Sequence, residues 1–279
     1  MKPHAGRNQS THSILMITLI LMTLVFILPI LVTILTAFRT NQDILTHGLW
    51  SLPRPLYFGG FKATWVEREL SMYVKNSFII TIPAVIGVLF VASLTAHAIA
   101  NFRFAWRKLI LILFFAGLWF PPQTFLVPVY RMAQRVGIYD TYLGLILAHI
   151  AYAMPFSALV LSQFFETIPK SVIDAARIDG TGEFQILTNI VWPLSIPALG
   201  SVAIFQFTWI WNDFYWGLVL SESANVQPVM VGITRALGRY VFEWNEQSAA
   251  SLIAISVPLL VFIFFQRFFI EGMKMGSIK

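Results

Sequence analysis

Chemistry in this sequence is confined to a few places. The chain has no cysteine, which excludes disulfides and thiolate nucleophiles. No Gly-x-x-x-x-Gly-Lys-Ser/Thr run is present to cradle phosphates, and no Gly-Lys pair occurs. No His-Glu-x-x-His pair or cysteine cluster offers metal-ligand spacing. Two groups of residues remain. The first is a charged stretch, Ile168-Pro169-Lys170-Ser171-Val172-Ile173-Asp174-Ala175-Ala176-Arg177-Ile178-Asp179-Gly180-Thr181-Gly182-Glu183-Phe184, running on to Ile190-Val191-Trp192-Pro193. The second lies inside an apolar run: Gln206, Asn212 and Asp213 among Trp209, Trp211 and Trp216. Sugar hydroxyls pair with amides and carboxylates, and flat sugar C–H faces stack on aromatic rings, so this set suits a sugar path. Polar groups in a membrane are expensive and usually face the bundle interior. The competing reading is hydrogen bonding between helices, with the tryptophans as interfacial anchors. His97 and His149 read as packed, hydrogen-bonded histidines rather than a proton relay.

The elements that must position these residues are membrane helices. Of 279 residues, 57% are hydrophobic and 11% charged, against about 25% charged in a soluble domain. Mean hydropathy is +0.73. A bilayer core of about 30 Å needs about 20 apolar residues per helix. Six runs meet that length, at 14–38, 77–100, 109–129 (interrupted by Pro121-Pro122), 141–165, 196–220 and 248–270. The sequence therefore predicts an all-α polytopic membrane protein with a polar tail at 1–13 and one membrane domain at 14–279. The first run exceeds a signal-peptide core and lacks a small-residue cleavage site, so it reads as a retained helix. Residues 130–140 and 221–247 read as outer connections. The net charge of +6 speaks for anionic lipid headgroups and topology, with no nucleic acid partner.

Six spans place both termini on one side. Arg103, Arg107 and Lys108 in a short loop mark that side as cytoplasmic. The 39–75 loop carries basic residues too, but long loops translocate largely regardless of charge. The 168–193 stretch is then cytoplasmic. It reads as two short helices about a glycine corner: Pro169 suits a first turn, Gly180 a helix stop, Thr181 a cap and Glu183 a first-turn acid.

This stretch resembles the "EAA" loop of ABC importer permeases: Glu-Ala-Ala, three residues, Gly, nine residues, Ile-x-Leu-Pro. Here Asp174-Ala175-Ala176, Gly180 and Ile190-Val191-Trp192-Pro193 keep the spacing, with Asp174 for Glu and Trp192 for Leu. The rest of the chain is similar to the second permease subunit of carbohydrate ABC importers, the maltose-type group. Leu28-Pro29 to Ala37-Phe38-Arg39, Asn76-Ser77, Ala96-His97 to Phe104, Gly137-Ile138-Tyr139-Asp140-Thr141, Trp211-Asn212-Asp213-Phe214 and Phe269-Ile270-Glu271-Gly272 carry that likeness, as does the Gly276–Lys279 tail. Gly217 stands where many relatives have proline.

The resemblance implies a type I ABC importer permease with six transmembrane helices in a prokaryotic inner membrane. It implies a second homologous permease, two ATPase subunits, an extracytoplasmic sugar-binding protein and a sugar substrate. The 168–193 loop would be the coupling helix, with Asp174, Ala175, Ala176, Arg177, Asp179, Gly180, Glu183 and Phe184 meeting the ATPase. Gln206, Trp209, Asn212, Asp213 and Trp216 would line the substrate pathway. The chain would hold no cofactor or metal of its own; ATP and Mg would sit on the partner subunits. The Pro122-Gln123-Thr124 and 209–217 runs look closest to relatives handling glucose or similar small sugars, which implies a mono- or small oligosaccharide such as glucose or an α-glucoside. The alternatives are a permease for another solute, an ion-coupled secondary transporter, and a membrane-embedded enzyme. The second would show broken helices in repeated halves with a buried ionisable pair; the third would need paired catalytic groups at one depth.

Overall fold

The computed structural model describes residues 6–236 and 243–276, which are helical with no strand. Gly238 of the expected outer loop, Ser277-Ile278-Lys279 and the first five residues lie outside them. The chain divides into two compact units: residues up to Leu70 with Arg235–Ile253, and Ser71–Thr234 with Ala254 onward.

In the first unit, α1 (Gly6–Ala37) begins with polar residues and is predominantly apolar from Ile14 on. None of its most apolar 18-residue window is buried, while Thr36 and Ala37 at its end are. Its threonines are satisfied locally: Thr18, Thr23 and Thr33 donate to carbonyls one turn back at 2.9, 2.7 and 2.8 Å, as lipid requires. Arg39 ends this segment. It is 1% exposed, pairs with the Asp43 carboxylate, and donates from Nη1 to Gly48 O at 2.7 Å and from Nη2 to Asp43 O at 2.8 Å. Hydrogen bonding from Arg39 holds the Asp43 carboxyl below its ordinary value. The pair fixes α2 (Asn41–His47), capped by Thr40. The short α3 (Gly59–Lys62) runs into a wide turn, Ala63–Glu67.

The second unit is built on α4 (Leu70–Asn101). Ala84, Val88, Ala92 and Ala96 recur every fourth residue and are fully buried, a stripe of small side chains that lets helices approach closely. Next come α5 (Arg107–Trp119) and α6 (Leu126–Val136). The third span, expected over 109–129 with an interruption at Pro121-Pro122, is two helices. The chain bends by 102° between Arg107–Trp119 and Pro122–Val136, because Pro121 and Pro122 supply no N–H and restrict the residues before them. Likewise 130–136 is helical, and only 137–141 connects α6 to α7 (Tyr142–Phe165), whose Thr141 cap accepts from Gly144 N–H at 3.1 Å.

Beyond α7 lie α8 (Lys170–Ile178), α9 (Glu183–Ile186), a wide turn at Leu187–Val191, and α10 (Trp192–Leu194). Then follow α11 (Ile196–Trp211), α12 (Tyr215–Leu220), α13 (Val229–Ala236) and α14 (Trp244–Gly276). The expected fifth span, 196–220, is broken after Trp211, and an 84° bend separates Glu183–Leu194 from Ile196–Trp211. Part of the expected 221–247 loop is helix α13. Among the described residues, four helices are long and apolar enough to cross a membrane, or up to six if each bent pair is one span.

Several short runs singled out in the sequence act as clasps. Asn76 Nδ2 donates to Ala224 O and Gln227 O, both at 3.0 Å, and Ser77 Oγ accepts from Val229 N–H at 2.8 Å. Asp140 Oδ1 accepts from Glu222 and Ser223 N–H at 2.8 and 3.0 Å. Together they pin the turn between α12 and α13. Gly217 serves the same turn: an added Cβ would lie 2.5 Å from Pro228 Cγ and 2.9 Å from Val231 Cγ2. Gly217→Val is expected to overpack this contact at a cost of about 1–3 kcal/mol, read as a lower midpoint of thermal unfolding in detergent.

Candidate functional site

The 168–193 stretch begins where α7 ends. Val172 N–H donates to Pro169 O at 3.0 Å, opening α8; Pro169 itself is the flanking residue, with Lys170 first in the helix. Ile173 and Ala176 turn inward, three residues apart on one face. They join Ile186, Leu187 and Val191 in a core with Ala92, Ala96 and Ala100 of α4, Ala158, Leu161 and Phe165 of α7, and Ala198 and Val202 of α11. The loop is therefore packed against α4, α7 and α11.

The corner is tightly specified. Gly180 N–H donates to Arg177 O and Thr181 N–H to Ala176 O, both at 3.0 Å, with Gly180 at φ +80°. This is the Schellman closure of a helix by a left-handed residue. A Cβ at Gly180 would meet nothing within 4 Å, so the backbone angle, not space, demands glycine. Thr181 does not cap α9; Gly182 precedes it and no side chain caps it.

Charges bind the two short helices to α4. Arg177 Nε donates to Glu183 Oε1 at 2.6 Å and Nη1 to Asp174 Oδ1 at 3.2 Å. Glu183 Oε2 lies 2.9 Å from His97 Nε2, and Asn101 Nδ2 lies 3.1 Å from His97 Nδ1. The Arg177 guanidinium also sits 5.4 Å from the Phe102 ring centre. Asp174, with its short side chain, bonds within its own helix. His97 is a buried, hydrogen-bonded side chain, as expected. Trp192, in the motif's Leu position, sets its ring edge-on to Phe90 of α4 at 6.5 Å.

Arg177 first, then His97, hold the Glu183 carboxyl below its ordinary value of 4.5. A lowered carboxyl contributes order above its ordinary value and loses it as pH falls through the lowered one. The corner is thus expected to stay ordered from neutral pH to about 4.5 and loosen only in stronger acid. Since the chain has no cysteine, a spin label at Gln185→Cys would report this: a constant line shape from pH 7 to 5, and a mobile one below the transition.

The outward face carries apolar side chains. Ile178 is 86% exposed and Phe184 57%, on either side of Gly180. Ile178 was not among the expected contact residues. The signal for it was present: it falls off the Ile173–Ala176 stripe, so an apolar side chain sits on the polar face of α8.

The expected pathway residues separate into two groups. Gln206 is 2% exposed and donates from Nε2 to Ser157 Oγ of α7 at 2.9 Å. Trp216 is 3% exposed, in a core with Ile80 and Leu145, and faces the Tyr152 ring. Asp213 Oδ2 accepts from Trp216 and Gly217 N–H at 3.0 and 3.3 Å, starting α12. Trp209 and Asn212 are exposed. Trp209 stacks on Phe205, and Phe205 packs on Phe156 of α7, at 6.1 and 5.0 Å. Trp211, between them, is buried and donates from Nε1 to Ala254 O at 2.9 Å.

Known proteins are similar to this chain. Residues 88–275 match the family described as "Binding-protein-dependent transport system inner membrane component". The osmoprotective compounds uptake permease protein GgtD of Synechocystis sp. is 35% identical over 93% of this chain and 90% of its own. The diacetylchitobiose uptake system permease protein NgcG of Streptomyces coelicolor is 30% identical over 94% and 87%. A bacterial ABC transporter involved in import of the polysaccharide alginate has the same fold, with a TM-score of 0.84, 18% identity, and coverage of 96% of this chain and 100% of that one. The chain belongs to the family of inner-membrane components of binding-protein-dependent transport systems and is an ABC importer permease.

Proposed function

We propose that this permease imports a sugar, a mono- or small oligosaccharide such as glucose or an α-glucoside. It works with a second homologous permease, two ATPase subunits that bind ATP and Mg, and an extracytoplasmic sugar-binding protein. Both termini and the 168–193 loop lie on the cytoplasmic side. One observation carries the coupling role: a rigid glycine corner presents exposed Ile178 and Phe184 while its other face is packed against α4, α7 and α11. Such a loop moves as a body, and rigid elements shift discretely rather than bend. Asp174, Ala175, Arg177, Asp179 and Glu183 frame the contact; Ala176 and Gly180 set its shape.

The sugar assignment rests on the Phe156–Phe205–Trp209 ladder beside Asn212, which offers stacking faces and an amide, and on the diacetylchitobiose permease among the relatives. Gln206, Asp213 and Trp216 contribute to the pathway by holding the helices that bear Trp209 and Asn212. The test is affinity purification from the native membrane, followed by ATPase assays with the binding protein and a panel of sugars and osmolytes. A second permease and an ATPase should co-purify, with hydrolysis raised severalfold by one sugar. Stimulation by a non-sugar osmolyte alone would overturn the sugar assignment. A chain that purifies alone and transports without ATP would overturn the coupling role.

A further inference from the structure

The second compact unit holds an apolar cavity of about 570 Å³ between α5, α6, α7 and α12. Its lining includes Leu118 of α5, Val129 and Met132 of α6, Leu147 and Tyr152 of α7, and Trp216 of α12. Among the described residues no charged or amide side chain lines it; the Tyr152 hydroxyl and the Trp216 indole N–H are its polar side-chain groups. The hydroxyls of a sugar would be left unpaired there, which is costly, so the occupant must be apolar along its length. Met132 and Leu147 are 58% and 44% exposed, so the cavity opens onto the surface of the unit.

Its length matches one leaflet. Along α7 the lining runs from Gly144, in the first turn, to Pro155, in mid-helix. At a rise of about 1.5 Å per residue that is about 17 Å, against about 15 Å for half of a bilayer core. The helix itself is long and apolar enough to cross the whole core, so its Thr141 end lies at a membrane surface. The gap beside it exists because the chain bends by 102° after α5. Thereafter α6 packs on α12 while α5 stays on α7, and a Cβ at Gly117, near the bend, would meet nothing within 4 Å.

The surface end of the cavity carries positive charge. Arg131 and Arg135 lie one turn apart on α6, both exposed, and neither pairs with a carboxylate among the described residues. Met132, in the lining, stands between them in sequence. Only residues 137–141 join α6 to α7, so Arg135 lies at the same end as Thr141. Arginine suits a phosphate, which its planar fork meets with two parallel hydrogen bonds, and basic sites between membrane helices bind anionic headgroups.

We infer that the cavity takes one acyl chain of an anionic phospholipid from the surrounding bilayer, with the phosphate on Arg131 and Arg135. A chain seated here fills the angle between α5 and α6 and ties α6 to the membrane surface.

The test is native mass spectrometry of the whole transporter in detergent, with phosphatidylglycerol and phosphatidylcholine of equal chain length added. Phosphatidylglycerol should be retained about fivefold or more over phosphatidylcholine. Arg131→Gln with Arg135→Gln should bring that preference below about twofold; the two side chains form no ion pair within the described fold, so this variant should assemble. Gly117→Leu, which fills the cavity from a position with free space, should lower occupancy by both lipids. A photoreactive benzophenone side chain in place of Leu147 gives a second measurement, and its adduct should have the mass of a phospholipid. Equal retention of the two lipids, occupancy unchanged in either variant, or a Leu147 adduct with the second permease or another copy of this chain overturns the inference.

Discussion

Ile178→Asp is expected to cut transport thirtyfold or more while leaving the subunit folded. Ile178 is 86% exposed, so its replacement removes no contact within the chain, and surface changes of this kind usually alter stability by no more than about 0.5 kcal/mol. Under the proposed docking, its cost falls on the partner. A central apolar anchor in a docking cleft contributes about 2 kcal/mol or more when truncated, and placing a carboxylate there adds its desolvation. Each 1.4 kcal/mol is about tenfold in affinity. The measurements are the unfolding midpoint of the purified subunit, which should not move, and the fraction of ATPase retained on co-purification, which should collapse with uptake. Full ATPase retention in Ile178→Asp would sink the docking role of this face.

Glu183→Ala should give the opposite pattern, with docking kept and transport reduced about tenfold. Glu183 touches Arg177 of α8 through one oxygen and His97 of α4 through the other. It is the one side chain in this network that joins the corner to a long helix by hydrogen bonds on both sides. Its side chain is 38% exposed, so solvent screening limits its static contribution to about 1 kcal/mol. The larger effect is on transmission: without it, a shift of α8 is carried to α4 by apolar contacts alone. A cycle with His97→Ala distinguishes the two roles, since residues in one network couple. The double variant should lose little more than Glu183→Ala. Additive losses would show that the two side chains act separately.

The 168–193 corner was legible because it depends on local rules: a charged run between apolar ones, a glycine at a helix end, a proline just before a helix start. The broken helices were not. Composition reads the 109–129 and 196–220 runs as continuous, and hydropathy carries no information on direction. Pro121-Pro122 announced a break but not a 102° bend. Asp213 resembled a ligand-facing carboxylate in sequence. Its partners, Trp216 and Gly217 N–H, became visible only once the chain was seen to restart as α12. Gln206 was ambiguous for a related reason. An amide in an apolar run serves a neighbour or a passenger equally well, and Ser157, its partner, lies on α7, too distant in sequence for spacing to reveal.

Gly217 carries an evolutionary consequence. Its missing side chain is the space that Pro228 occupies, and its N–H is bound by Asp213. A lineage with proline at 217 gives up that hydrogen bond and needs a smaller neighbour at 228. Positions 217 and 228 should therefore change together, with either single exchange an unfavourable intermediate, so that ancestry as much as selection decides which arrangement a given permease inherits.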